Sequence, residues 1–161
     1  MQCDREIDIV EGNVYLRRAD REDVELFFRW VNEPAVRENS FNTEPIPWES
    51  HRKWFEKVLA DDGVRIFVLM AGNVPVGQIR LTAKEKMWDI DYSVDVLYRG
   101  QGYGKKLFEL LVNEVSMGTE LVAEVKLNNI ASQRVFECLR FSKKENLEMN
   151  CYEYYQKVGA Q

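Results

Sequence analysis

The stretch Arg99-Gly100-Gln101-Gly102-Tyr103-Gly104-Lys105 decides the reading of this chain, because it joins a strand pattern to a helix pattern with three glycines at the joint. Before it, Trp88 to Val96 alternate between apolar and polar residues, as a strand does. After it, Leu107, Phe108, Leu110, Leu111, Val112 and Val115 recur at helical spacing. Glycines there let backbone come close to a ligand, and the N–H groups of the helix's first turn have no partner within the helix. A phosphate or pyrophosphate suits such a place.

Spacing separates three phosphate-binding patterns. A Walker loop needs Gly where Arg99 stands and Ser or Thr where Lys106 stands, so it fails twice. The dinucleotide pattern G-x-G-x-x-G meets Lys105 or Leu107 in place of its third glycine. Arg-x-x-Gly-x-Gly fits, through Arg99, Gly102 and Gly104. With it the segment resembles the pyrophosphate loop of the GCN5-related N-acetyltransferase (GNAT) superfamily. An ordinary glycine-rich turn would explain the glycines but not the arginine and the flanking patterns.

At 161 residues and 45% hydrophobic content the chain suits one compact domain, read here as spanning 1–161. A net charge of -5 argues against a nucleic-acid partner. The start, Met1 to Glu6, is polar and no apolar run reaches the length of a membrane span. Cys3, Cys138 and Cys151 are widely spaced without a C-x-x-C pair, which reads as a reduced cytoplasmic protein with Cys138 buried on a helix. One histidine and scattered cysteines leave no zinc set, and no metal is expected.

Hydrophobic periodicity predicts a strand at 13–18 and a helix at 21–32 with Asp20 as its N-cap. A loop at 33–47 and a helix at 48–60 follow. Strands at 65–71 and 75–82 form a hairpin through Gly72-Asn73. After the 88–96 strand and the 102–116 helix come a strand at 120–126, a helix at 129–139, and closing strands at 141–144 and 151–157. That order is the superfamily's. The resemblance therefore implies an α/β (α+β) GNAT fold: a central mixed, mostly antiparallel sheet of six or seven strands with four helices, splayed around acetyl-CoA.

In that fold the strand before the loop parts from its neighbour and binds the pantetheine arm by its backbone, a role that falls on Val94, Asp95 and Val96. The diphosphate then meets the N–H groups of Arg99, Gly100, Gln101, Gly102, Tyr103, Gly104 and Lys105, where the helix dipole helps. A second resemblance lies in Asn129-Ile130-Ala131-Ser132-Gln133-Arg134-Val135-Phe136 with Phe141. It implies that Asn129 binds the arm and that Ser132 and Phe136 face it; Asn129 and Ser132 can equally begin a helix. Many members carry Tyr where Phe136 stands, and Arg140 replaces their usual Gly, so the leaving thiolate's proton must come from another group or from water.

Acetylation needs a neutral amine, hence a proton acceptor. Asp89, Asp91, Ser93 and Asp95 share one face of their strand, and Asp89 and Asp91 are candidate bases, with a merely wet outer face as the alternative. His51 is another candidate, with an unperturbed pKa of about 6.5. The segment from Trp30-Val31-Asn32-Glu33-Pro34 through Arg37, Phe41-Asn42, Trp48 and His51 to Trp54-Phe55 looks like part of a subgroup from pseudaminic-acid synthesis. Its members acetylate the 4-amino group of a UDP-linked deoxy-amino sugar. The resemblance implies His51 at the acceptor cleft and Trp30, Asn32, Arg37, Phe41, Asn42 and Trp48 as acceptor contacts.

The sequence thus predicts a cytoplasmic N-acetyltransferase using acetyl-CoA by direct transfer, since no cysteine has an activating setting. The expected partners are a small-molecule amine and, at most, a second copy in a homodimer, with no nucleic acid and no membrane. Rival readings are a protein N-terminal, peptide or polyamine acetyltransferase, and a CoA-binding regulatory module without catalysis.

Overall fold

The computed structural model describes residues 13–159, so Cys3 and the polar N-terminus lie outside it. Its elements in chain order are β1 (Val14–Arg18), α1 (Val24–Val31), α2 (Pro34–Asn39), α3 (Trp48–Leu59), β2 (Val64–Ala71), β3 (Val74–Lys84), β4 (Met87–Val94), α4 (Tyr103–Leu111), β5 (Glu120–Lys126), α5 (Ile130–Cys138), β6 (Ser142–Asn146) and β7 (Cys151–Lys157). The seven strands form one sheet in the order β1-β2-β3-β4-β5-β7-β6. Every neighbouring pair is antiparallel except β4 and β5. The expected mixed, mostly antiparallel sheet is therefore present.

Alternation along β2 shows how the layers form. Ile66, Val68 and Met70 pack with Phe27, Trp30 and Phe55 of α1 and α3. Phe67 and Leu69 point the other way, into a larger core with Leu107, Phe108 and Leu111 of α4 and Phe136 of α5. The sheet is thus covered on both faces, and each face brings different helices to the loop between β4 and α4.

The helices depart most from the sequence reading at three places. Among the described residues there are five α-helices, not four, because Pro34 starts α2 where a loop was expected. Proline suits the first helical position, and Glu33 caps the helix by accepting from the N–H groups of Ala35 and Val36. The α1 segment opens with a short 3-10 turn at Arg21–Asp23, capped by Asp20 as expected. Helix α4 stops at Leu111 rather than at Ser116, its last turn tightened by an Asn113 N–H bond to the Leu110 carbonyl. Cys138 is half-buried, and Cys151 on β7 is the fully buried thiol.

The site depends on where β4 and β5 part. They pair only from Met87–Glu120 to Asp89–Val122; beyond that β4 runs on to Val94 and β5 to Lys126 unpaired with each other. On its other side β4 stays tied to β3 as far as Val94–Gly77. Gly77 is required there, since a Cβ would sit 2.8 Å from the Ser93 carbonyl oxygen. Gly77→Ala should push β4 out of register beside the gap. It is expected to cost about 1–3 kcal/mol of stability, read as a lower denaturant midpoint with unchanged slope.

Candidate functional site

Gly100 and Gly102 both adopt left-handed backbone, with φ of 77° and 83°. Gly102 is also the N-cap of α4, so the chain turns sharply there and leaves first-turn amides of the helix facing outward. Gly104, one residue into α4, keeps the loop close to its neighbours: a Cβ there would lie 3.4 Å from Val135 and 3.6 Å from the Tyr92 ring. Lys105 adds a cation beside the loop. The bare backbone, the helix start and the cation make a cradle whose chemistry fits a diphosphate.

From this cradle a groove of about 580 Å3 runs through the gap in the sheet. Its walls on the α4–α5 side include Tyr92, Gly102, Gly104, Asn129, Ser132 and Phe136. On the opposite face it is lined by Asp91, Ser93 and Glu124 of the sheet and by Ala35, Val36, Asn39 and Ser40 at α2. The groove therefore connects the glycine cradle on one face with two carboxylates on the other.

Backbone direction refines the roles expected on β4. The Asp95 N–H donates to the Val76 carbonyl at 2.8 Å, so it faces β3, not the gap. Because successive strand residues turn their peptide groups to opposite sides, Val94, Tyr92 and Ile90 present theirs to the gap. The Val94 carbonyl accepts from Arg99 Nε at 3.0 Å, which leaves the Val94 N–H free for an occupant of the groove. Asp95 is instead a buried anchor: its carboxylate accepts from Trp30 Nε1 at 2.8 Å and from the Leu97 N–H at 3.0 Å. Val96 begins a 3-10 turn rather than continuing the strand.

Arg99 is held at both ends of its side chain, by the Val94 carbonyl and by Glu33 at 2.7 Å. Glu33 in turn caps α2, and its carboxyl is held below the usual range by Arg99 and the two capping N–H groups, against burial, which pushes the other way. At the other end of α2, Lys126 of β5 donates to the Glu38 carbonyl at 3.0 Å. Helix α2 is thus strapped across the opening between β4 and β5. Neither the helix nor its two ties was expected from the sequence; the Glu33-Pro34 start was the available signal.

Of the candidate bases, Asp91 lines the groove, with Gln78 Nε2 at 3.3 Å and Arg80 at 3.8 Å. Glu124, missed in the sequence reading, joins it there with Lys84 at 3.8 Å. Asp89 lies lower, where β4 and β5 still pair; burial and the Glu124 charge push its pKa up. His51 is not at the groove. It is 2% exposed, bonds the Val24 carbonyl through Nε2 at 2.9 Å, and stacks on Phe55 at 5.7 Å. Burial lowers its pKa, so the folded chain resists protonating it. As pH falls through about 6.5 the unfolded chain takes up the proton first, and stability should decline. His51→Gln should flatten that decline in denaturation midpoints measured across the range.

The six expected acceptor contacts also lie outside the groove lining. Trp30 is buried on Asp95, and Asn32 bonds both the N–H and the carbonyl of Ile46. Arg37 spends its guanidinium on the carbonyls of Val31, Asn42 and Glu44, and the Asn42 side chain accepts from the Glu44 N–H. These residues brace the 33–47 segment. Phe41 and Trp48 remain exposed, Trp48 lying edge-on to Phe28. In the cofactor set, Gln101 is exposed and off the groove lining, Asn129 caps α5 by accepting from the Ser132 N–H, and Phe136 is buried against Tyr154.

A family model described as an acetyltransferase (GNAT) domain matches residues 13–142. No curated protein matches the chain. Among solved structures, a domain from Methanocaldococcus jannaschii is 19% identical with a TM-score of 0.80, covering 92% of this chain and 100% of that one. Spermidine N-acetyltransferase from Vibrio cholerae, solved with CoA and spermine, is 14% identical with a TM-score of 0.77, covering 90% and 95%. The ribosomal L7/L12 α-N-protein acetyltransferase RimL, solved with CoA, is 19% identical with a TM-score of 0.74, covering 96% and 99%. At these identities the likeness to solved structures is one of fold.

Proposed function

From the premise that the chain belongs to the GNAT acetyltransferase family, we propose that it transfers acetyl from acetyl-CoA directly to a primary amine that enters on the α2 face of the sheet. The observation that carries this is the groove through the sheet, with the glycine cradle at one end and Asp91 and Glu124 at the other. Bound acetyl-CoA supplies an activated acyl group as its thioester. The amides at the start of α4 hold its diphosphate, and the outward N–H of Val94 is placed to polarise the acyl oxygen. Asp91 draws the ammonium into the groove and accepts its proton directly or through water. Holding the two reactants across one gap supplies much of the acceleration.

The acceptor favoured by the sequence of the 30–55 segment is the 4-amino group of a UDP-linked deoxy-amino sugar. The carboxylates of the groove favour a second reading, a polyamine like that seen with the Vibrio cholerae relative. The test is thiol release from acetyl-CoA against UDP-4-amino sugars, spermidine, an aminoglycoside and N-terminal peptides. Preferred turnover of the UDP-4-amino sugar supports the first reading, and preferred turnover of spermidine the second. Tight CoA binding with no turnover of any amine would make the chain a CoA-binding regulatory module.

A further inference from the structure

We infer that Tyr92 aims the Ser132 hydroxyl into the groove, so that this pair supplies the hydrogen bond needed by the sulfur when the thioester is cleaved. The inference rests on the acetyl-transfer reading above. Tyr92 and Ser132 both line the groove, and their hydroxyl oxygens are 3.0 Å apart. A phenol is the better donor and an alkyl hydroxyl the better acceptor, so the Tyr92 proton lies between the two oxygens. The Ser132 proton is then left to point elsewhere, and the groove is where it can turn.

The position where many members of the superfamily carry a tyrosine offers no hydroxyl here. Phe136 has no hydroxyl, and with Phe108 it holds the Tyr92 ring edge-on, at centroid distances of 5.8 and 5.1 Å. The phenol therefore has little freedom to point anywhere but at Ser132. Burial pushes the Tyr92 pKa up to about 12, so it remains a donor across the working pH range. In low-dielectric surroundings one hydrogen bond strengthens the next along such a chain. Ser132 also sits in the first turn of α5, where the helix dipole favours developing negative charge.

The chemistry balances without consuming the pair. The amine nitrogen forms a bond to the acyl carbon, the carbon–sulfur bond breaks, and its electron pair passes to sulfur. The nitrogen's proton leaves through Asp91 or water, and sulfur is protonated from water. Tyr92 and Ser132 keep their protons and stabilise sulfur while it is anionic. Tyr92 is thus a positioning residue acting through Ser132.

The test is a pH titration of CoA bound to the wild-type chain and to Tyr92→Phe, followed by the ultraviolet absorbance of the thiolate. The bound thiol should ionise about half to one pH unit lower in the wild type than in the variant. In turnover, Tyr92→Phe should lower kcat about 10-fold with KM for acetyl-CoA unchanged. Ser132→Ala should lose at least as much, and the double variant no more than Ser132→Ala alone. Identical thiol titrations in wild type and Tyr92→Phe, or additive losses in the double variant, overturn the inference. Failure of the wild type to bind CoA would instead overturn the acetyl-transfer reading beneath it.

Discussion

Gly102→Glu is expected to abolish acetyl-CoA binding, raising Kd at least about 100-fold while leaving a folded chain. Two effects act together. Gly102 has φ of 83°, and any side chain there carries a left-handed backbone penalty of about 1–2 kcal/mol. Glutamate also brings a negative charge to the first-turn amides of α4, the proposed seat of the diphosphate, and like charges repel strongly in a partly enclosed cradle. Gly102→Ala separates the two, since it carries the strain without the charge and should weaken binding roughly 10-fold or less. Calorimetry on both variants gives the answer. Equal, small effects would mean that no diphosphate lies against the α4 start.

Asp91→Asn is the second large effect: kcat should fall about 100-fold or more, with the Kd for acetyl-CoA within about twofold of wild type. The amide keeps the shape and the Gln78 contact, but it neither attracts an ammonium nor takes its proton. Asp91 lies on the α2 side of the groove, away from the diphosphate cradle, which is why cofactor affinity should stay. Glu124→Gln is the comparison variant, because each carboxylate has one cation at 3.8 Å, Lys84 for Glu124 and Arg80 for Asp91, and the ion pairs do not set them apart. A kinetic comparison at saturating acetyl-CoA distinguishes them. If Asp91→Asn turns over normally and Glu124→Gln does not, the proton acceptor is on β5.

Much of this architecture could be read locally. The alternation of Trp88 to Val94, the Gly72-Asn73 hairpin and the glycines before α4 are short-range patterns, and each appears in the structure at or within a few residues of its expected place. His51 shows where residue type misleads. It was singled out as the one histidine, yet its spacing from Phe55 is one helical turn, and that spacing puts it on the buried face of α3, where it stacks. Pro34 was placed in a loop, but proline also suits the first position of a helix.

Other features were not legible for a physical reason: they depend on partners far along the chain. Arg37 looked free to meet a phosphate until three backbone carbonyls claimed it. Glu124 carries no local mark of function, and it reaches the groove only because β5 runs parallel to β4 and then parts from it. The Asp95 amide could be assigned to the gap until the pairing with β3 fixed which way each peptide of β4 points. Strand alternation predicts two directions but not which is which.

The most direct measurement is a crystal structure of the chain grown with acetyl-CoA. The account predicts the diphosphate against the main-chain N–H groups of Gly102 to Lys105, the pantetheine arm in the gap between β4 and β5, and the acyl oxygen within hydrogen-bond reach of the Val94 N–H. A diphosphate bound away from the start of α4, or a gap closed by pairing of β4 with β5, would contradict it.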